Sequence, residues 1–105
     1  MSFPTRLTAI QNHSIEDLCQ QFGTPLYVYD GATIRRKVQA LKDAFSEVDL
    51  CIKYACKANT NLRILGLMRS LGVDIDTVSY EEIQMGLAAG YTIDQMTFTP
   101  SGVPF

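Results

Sequence analysis

Apolar residues recur along this chain in two alternating rhythms. Ile15, Leu18, Cys19 and Phe22 fall three and four apart, the spacing of one helical face. Ser14 precedes them as an N-cap with Asp17 three residues on, and Gly23 followed by Thr24-Pro25 closes the run. Leu26-Tyr27-Val28-Tyr29 is aromatic and β-branched, the make-up of a short strand. Asp30 can cap a second helix with Ile34, Val38, Leu41 and Phe45 inward and Arg35, Arg36, Lys37, Lys42 and Asp43 on a solvated face. Residues 49–57 then read as a strand, with Ile52, Tyr54 and Cys56 on one side and Lys53, Ala55 and Lys57 on the other. Asn59-Thr60-Asn61 opens a third helix with Ile64, Leu65, Met68 and Leu71 inward and Gly72 as its C-cap. A strand follows over residues 73–78. Ser79 and Glu82 form a capping box for a helix that carries Ile83, Met85 and Leu87 to Gly90. Residues 96–99 make a last strand.

From Tyr27 onward the order is β-α-β-α-β-α-β, which implies a parallel sheet with right-handed crossovers. Two α/β architectures fit: an open doubly wound sheet, or part of a (β/α)8 barrel. A complete barrel takes about 200 to 250 residues or more, so 105 residues supply at most three or four of its strands. Residues 102–105 read as a loop without a closing element, and the chain is expected to be a piece of a larger protein. Residues 1–13 read as irregular.

Composition narrows the class. A net charge of −2 and 19% charged residues describe an ordinary globular chain, not a nucleic-acid or anionic-membrane surface. No apolar run approaches the roughly 18 residues needed to span a bilayer. The first residues lack the apolar core of a secretory signal. Three cysteines without a CxxC or Cys/His cluster argue against a disulfide framework or a metal site and fit a reducing cytoplasm. His13, the single histidine, stands before a helix start and reads as a surface residue, while Cys19 falls in an apolar stripe and reads as core.

In either architecture chemistry belongs at the C-terminal ends of the strands. Lys57, Asp76 and the turn Thr99-Pro100-Ser101-Gly102 qualify. A lysine there is either a solvated strand end or an amine made nucleophilic by its surroundings. Asp76 on the adjacent strand would orient that amine or a bound cation, or simply form an ion pair with it. The capping box accounts for Glu82. Asp74 shares the face of Asp76 one step deeper, where an acid needs a partner. No GxGxxG follows a strand, no P-loop is present, and one histidine cannot assemble a hydrolase triad.

Three segments together resemble a known family. They are Thr24-Pro25-Leu26-Tyr27-Val28-Tyr29-Asp30, Tyr54-Ala55-Cys56-Lys57-Ala58-Asn59, and residues 72–82 (Gly-Val-Asp-Ile-Asp-Thr-Val-Ser-Tyr-Glu-Glu). In this order they are similar to the N-terminal motifs of diaminopimelate decarboxylases, within the pyridoxal-phosphate decarboxylases of the alanine-racemase-like barrel. Ala88-Ala89-Gly90-Tyr91 favours the diaminopimelate branch over the ornithine branch. The resemblance implies a partial (β/α)8 TIM barrel of about three or four β/α units, with residues 1–23 as an N-terminal segment and residues 24–105 as the start of the barrel. It implies that Lys57 holds pyridoxal 5′-phosphate as a Schiff base with Asp76 beside it, and that the parent enzyme converts meso-2,6-diaminopimelate to L-lysine. A cytoplasmic homodimer acting on a small amino acid, without nucleic acid or membrane, follows from the same likeness. Asp74 stands where many relatives have a small or neutral residue. The family's phosphate-binding, ring-nitrogen and substrate-binding residues would lie in later sequence, as would a cysteine contributed across the dimer. The 105-residue segment by itself is therefore expected to lack decarboxylase activity. Another amino-acid decarboxylase or racemase of the same fold, or a non-catalytic fragment acting by association through open strand edges, are the other readings.

Overall fold

The computed structural model describes residues 8–102. It divides into two compact units, Met1–Arg36 and Lys37–Phe105, with the boundary inside a helix. No helix among the described residues is long and apolar enough to cross a membrane.

In the first unit, β1 (Ala9–Ile10) and β2 (His13–Ser14) form a short antiparallel hairpin. Gln11 makes its turn at φ 55, a conformation that no glycine announces. Over residues 9–13 the hairpin replaces the irregular entry expected for residues 1–13, of which residues 1–7 lie outside the described residues. Helix α1 (Ile15–Phe22) begins as its sequence predicts, with the Ser14 hydroxyl accepting from the Asp17 amide at 3.0 Å. Gly23, at φ 85, ends it. Its apolar stripe is only partly covered: Cys19 is half-buried rather than core, and Phe22 is 63% exposed. Residues 26–29 do not form the expected strand, and Tyr27 is 85% exposed. Strand composition becomes a strand only when a neighbour supplies the ladder, and no described segment pairs with these residues. Asp30 caps α2 (Gly31–Ala44), its Oδ1 accepting from the Ala32 amide at 3.0 Å and its Oδ2 from the Thr33 hydroxyl at 3.0 Å. Gln11 Nε2 also donates to Asp30 Oδ1 at 2.9 Å, and these donors together hold the carboxyl below the usual carboxylate range, led by Gln11.

The second unit carries a three-stranded parallel sheet in the order β3 (Lys53–Ala55), β4 (Asp74–Thr77), β5 (Met96–Phe98). Helix α3 (Leu62–Ser70) links the first two strands and α4 (Tyr80–Ala88) the last two. This is the repeated β-α-β order expected, with each strand shorter than its apolar run. In β4 the pleat sorts the residues: Ile75 and Thr77 are buried, while Asp74 and Asp76 lie on the opposite face. Tyr54, Ile75 and Met96 are successive register partners across the sheet. Cys56, Leu65, Ile75 and Tyr91 form the core that this row packs against.

The inward stripe of α4 is Glu82, Met85 and Gly86, continued by Ala89 just past its end. The true stripe keeps helical spacing but is hidden by an acid and a glycine, and Leu87 is exposed. Gly86 is required for the close approach of α4 to the sheet. A Cβ there would stand 2.5 Å from Cδ1 of Ile75, whose side chain is fully buried. The α3 exit is secured by Gly72 at φ 75 and by Lys42 Nζ, which donates to the Leu71 carbonyl. Lys42 thus belongs to a helix end, not only to a solvated face.

Tyr91 closes the core, its hydroxyl donating to the Val73 carbonyl at 2.6 Å. Burial foremost, then the nearby Cys56 and Asp74 charges, pushes its phenol from 10.0 up to about 12 against the opposing pull of Arg69. The protonated phenol is favoured by folding, so this contribution is intact below pH 10 and is lost as pH rises through about 12. Tyr91→Phe is expected to lower stability by about 1 kcal/mol in urea unfolding at neutral pH and to flatten the alkaline loss.

Candidate functional site

Strand β3 stops at Ala55, and Cys56–Ala58 turn as a 3-10 helix. Lys57 therefore sits in a turn immediately beyond the strand, not on the strand itself. Within the turn Cys56 is fully buried, in the core that Tyr54 also packs against, while Lys57 is exposed. The turn is tied at several points. The Asn59 amide donates to the Cys56 carbonyl at 3.0 Å, and the Tyr54 hydroxyl donates to the Asn59 carbonyl at 2.9 Å. The Asn59 side chain accepts from the Asn61 amide at 2.9 Å, and Asn61 in turn caps α3 by accepting from the Arg63 amide at 2.9 Å.

Asp76 is half-buried on β4 and is the register partner of Ala55 on one side and Thr97 on the other. Strands β3 and β4 are parallel, so Asp76 and the Lys57 turn lie toward the same, C-terminal end of the sheet. The third sequence-predicted position arrives there too. The Thr99 amide continues the ladder by donating to the Thr77 carbonyl at 2.9 Å, and its hydroxyl donates to Asp76 Oδ1 at 2.8 Å. Lys53 lies deeper on the same face and its Nζ donates to the Thr97 hydroxyl across the middle strand. Asp74, which needed a partner, accepts from the Cys51 thiol at 3.7 Å. These threonine partners follow from strand register, which residue identity alone does not disclose.

Glu82 does more than the capping box requires. The Ser79 hydroxyl accepts from the Glu82 amide at 3.2 Å, while the carboxylate accepts from the Val78 amide at 3.4 Å and the Ser79 hydroxyl at 3.2 Å. The carboxylate is also close enough to act on Cys56. Burial first, then Glu82, then Asp76 push that thiol from 9.0 up to about 11. Both acids thus lie around the turn that carries Lys57. Lys57 offers an exposed primary amine just beyond β3, at the sheet end where Asp76 and Thr99 meet, and a primary amine in its neutral form can condense with a carbonyl group. Among the described residues no group of three or more His, Cys, Asp or Glu is assembled that could hold a metal ion.

Comparison with known proteins identifies the family. Residues 31–102 match the family model described as pyridoxal-dependent decarboxylase, pyridoxal binding domain. The chain is 44% identical over 90 residues to the diaminopimelate decarboxylase of Escherichia coli K12, covering 86% of this chain and 20% of that one. It is 49% identical over 73 residues to the Streptomyces coelicolor enzyme of the same name, covering 70% and 16%. The solved diaminopimelate decarboxylase of Helicobacter pylori, complexed with L-lysine, superposes with a TM-score of 0.75 at 40% identity, over 83% of this chain and 22% of that one. The chain thus spans about a fifth of the length of these relatives. The fold is part of a pyridoxal-phosphate-binding barrel of the (β/α)8 kind.

Burial of Cys56 gives the site a chemical signature. In the native chain Cys56 is expected to react with iodoacetamide roughly tenfold or more slower than exposed Cys51, a difference that denaturant abolishes, as peptide mass mapping would read. Its protonated form is favoured by folding, so the associated stability is complete below pH 9.0 and is lost as pH rises through about 11.

Proposed function

Because the chain belongs to the pyridoxal-dependent decarboxylases by its pyridoxal binding domain, we propose that it supplies the cofactor lysine, Lys57, of a diaminopimelate decarboxylase. The observation that carries this reading is the exposed Lys57 turn beside Asp76 at the C-terminal end of a sheet 44% identical in its chain to a named diaminopimelate decarboxylase. Pyridoxal 5′-phosphate, when bound, supplies the electron sink that lets a carboxyl group leave as carbon dioxide. Residues of this chain provide the rest of the local chemistry. Lys57 would hold the cofactor through its exposed primary amine, and the Asn59 amide on the Cys56 carbonyl closes the turn that carries it. Asp76, the register partner of Ala55, supplies a carboxylate at the same end of the sheet.

The parent protein, on this reading, converts meso-2,6-diaminopimelate to L-lysine as a cytoplasmic homodimer, with neither nucleic acid nor membrane as a partner. Residues 24–105 form the first part of its barrel and residues 1–23 an N-terminal segment. Support for the substrate comes from the relatives named for it and from the neighbour complexed with L-lysine.

Incubation of the chain with pyridoxal 5′-phosphate, reduction with borohydride and peptide mapping test the assignment. Lys57 is expected to take most of the label, ahead of Lys37, Lys42 and Lys53, and Lys57→Ala to remove the visible absorbance of the adduct. Label spread evenly over the lysines would remove Lys57 as the cofactor residue.

A further inference from the structure

The carboxylate of Asp76 is held from outside its own strand. Thr99 lies just beyond β5, where its amide donates to the Thr77 carbonyl at 2.9 Å, so its backbone is fixed as one more rung of the ladder. A threonine with a fixed backbone has few χ1 choices, which aims the hydroxyl. That hydroxyl donates to Asp76 Oδ1 at 2.8 Å. A second tie draws the same strands together: the buried Thr77 hydroxyl donates to the Thr97 carbonyl at 2.9 Å. No described hydrogen bond engages Asp76 Oδ2, which remains to accept from a group at the sheet end.

We propose that Thr99 is a positioning residue. Its hydroxyl holds the Asp76 carboxylate in one rotamer, engaging Oδ1 and presenting Oδ2 to the amine of Lys57 and whatever that amine carries. The inference rests on the Proposed function for its purpose, but the contact it names belongs to the chain alone. Asp76 without Thr99 is a strand side chain at an open sheet end, free to turn toward water. The residue just past β5 thus reaches the carboxylate on the neighbouring strand β4.

The experiment has two readouts on the 105-residue chain. Three-bond couplings from the Asp76 backbone to Cγ report its rotamer by NMR, without cofactor. They are expected to indicate one rotamer in the parent chain, averaging in Thr99→Val, and return to one rotamer in Thr99→Ser. Borohydride-trapped pyridoxal 5′-phosphate at Lys57, normalised to Lys42, is expected to fall by roughly three- to tenfold in Thr99→Val and to recover in Thr99→Ser. Thr99→Ala, which adds no bulk, serves if the valine variant does not fold. An Asp76 rotamer unchanged by loss of the hydroxyl would overturn the positioning role. Averaging of Asp76 with no change at Lys57 would overturn its service to the lysine. A parent chain that shows no preference for Lys57 would remove the cofactor reading itself, with the rotamer data still deciding the Thr99 contact.

Discussion

Burial of the Cys56 side chain with Leu65, Ile75 and Tyr91 anchors to the core the turn that carries Lys57. A strand continued for two more residues would keep Lys57 on the pleat beside Ala55. Instead the chain turns, with the small Cys56 side chain filling the core and Lys57 exposed next to it. Everything around the turn reinforces that choice, from the Asn59 amide on the Cys56 carbonyl to the Asn61 cap that starts α3 only a few residues later.

Strand β4 separates two kinds of chemistry by one step of the pleat. Its buried side carries Ile75 and Thr77, the first in apolar contact and the second with its hydroxyl satisfied by the Thr97 carbonyl. Its other side carries Asp74 and Asp76, met by Cys51 and Thr99. Lys53 reaches over the same side to Thr97. A one-residue slip of β4 would exchange the two sides, putting two acids in the core and an isoleucine among the polar groups. The polar face is thus kept in place by the apolar one.

What was legible in the sequence was local. The Ser14, Asp30 and Ser79 caps act within their own helix starts and form as their spacing indicates, and within the helix-opening run 59–61 it is Asn61 that caps α3. The β-α-β order and the placing of Asp76 at a strand end were equally readable, because alternation and helical spacing need no distant partner. Residues 26–29 show the limit, since strand-like side chains do not supply the strand that must lie beside them. The Lys57 turn shows another: alternation runs smoothly through Cys56 in sequence, and only core packing reveals that it stops. The inward face of α4 was obscured because an acid and a glycine occupy it. Thr99's bond to Asp76 depends on the register of β4 with β5, which no single residue encodes.

Gly86 gives α4 the character of a shim. The helix rests directly on Ile75 and Met96 where the glycine leaves no side chain between them. At its other end the same helix carries Glu82, whose carboxylate bears on the Cys56 thiol. The thickness of one residue on the underside of the helix therefore sets the height of a charge one turn away. A bulkier shim would move that charge relative to the Cys56 thiol without replacing any group that meets it.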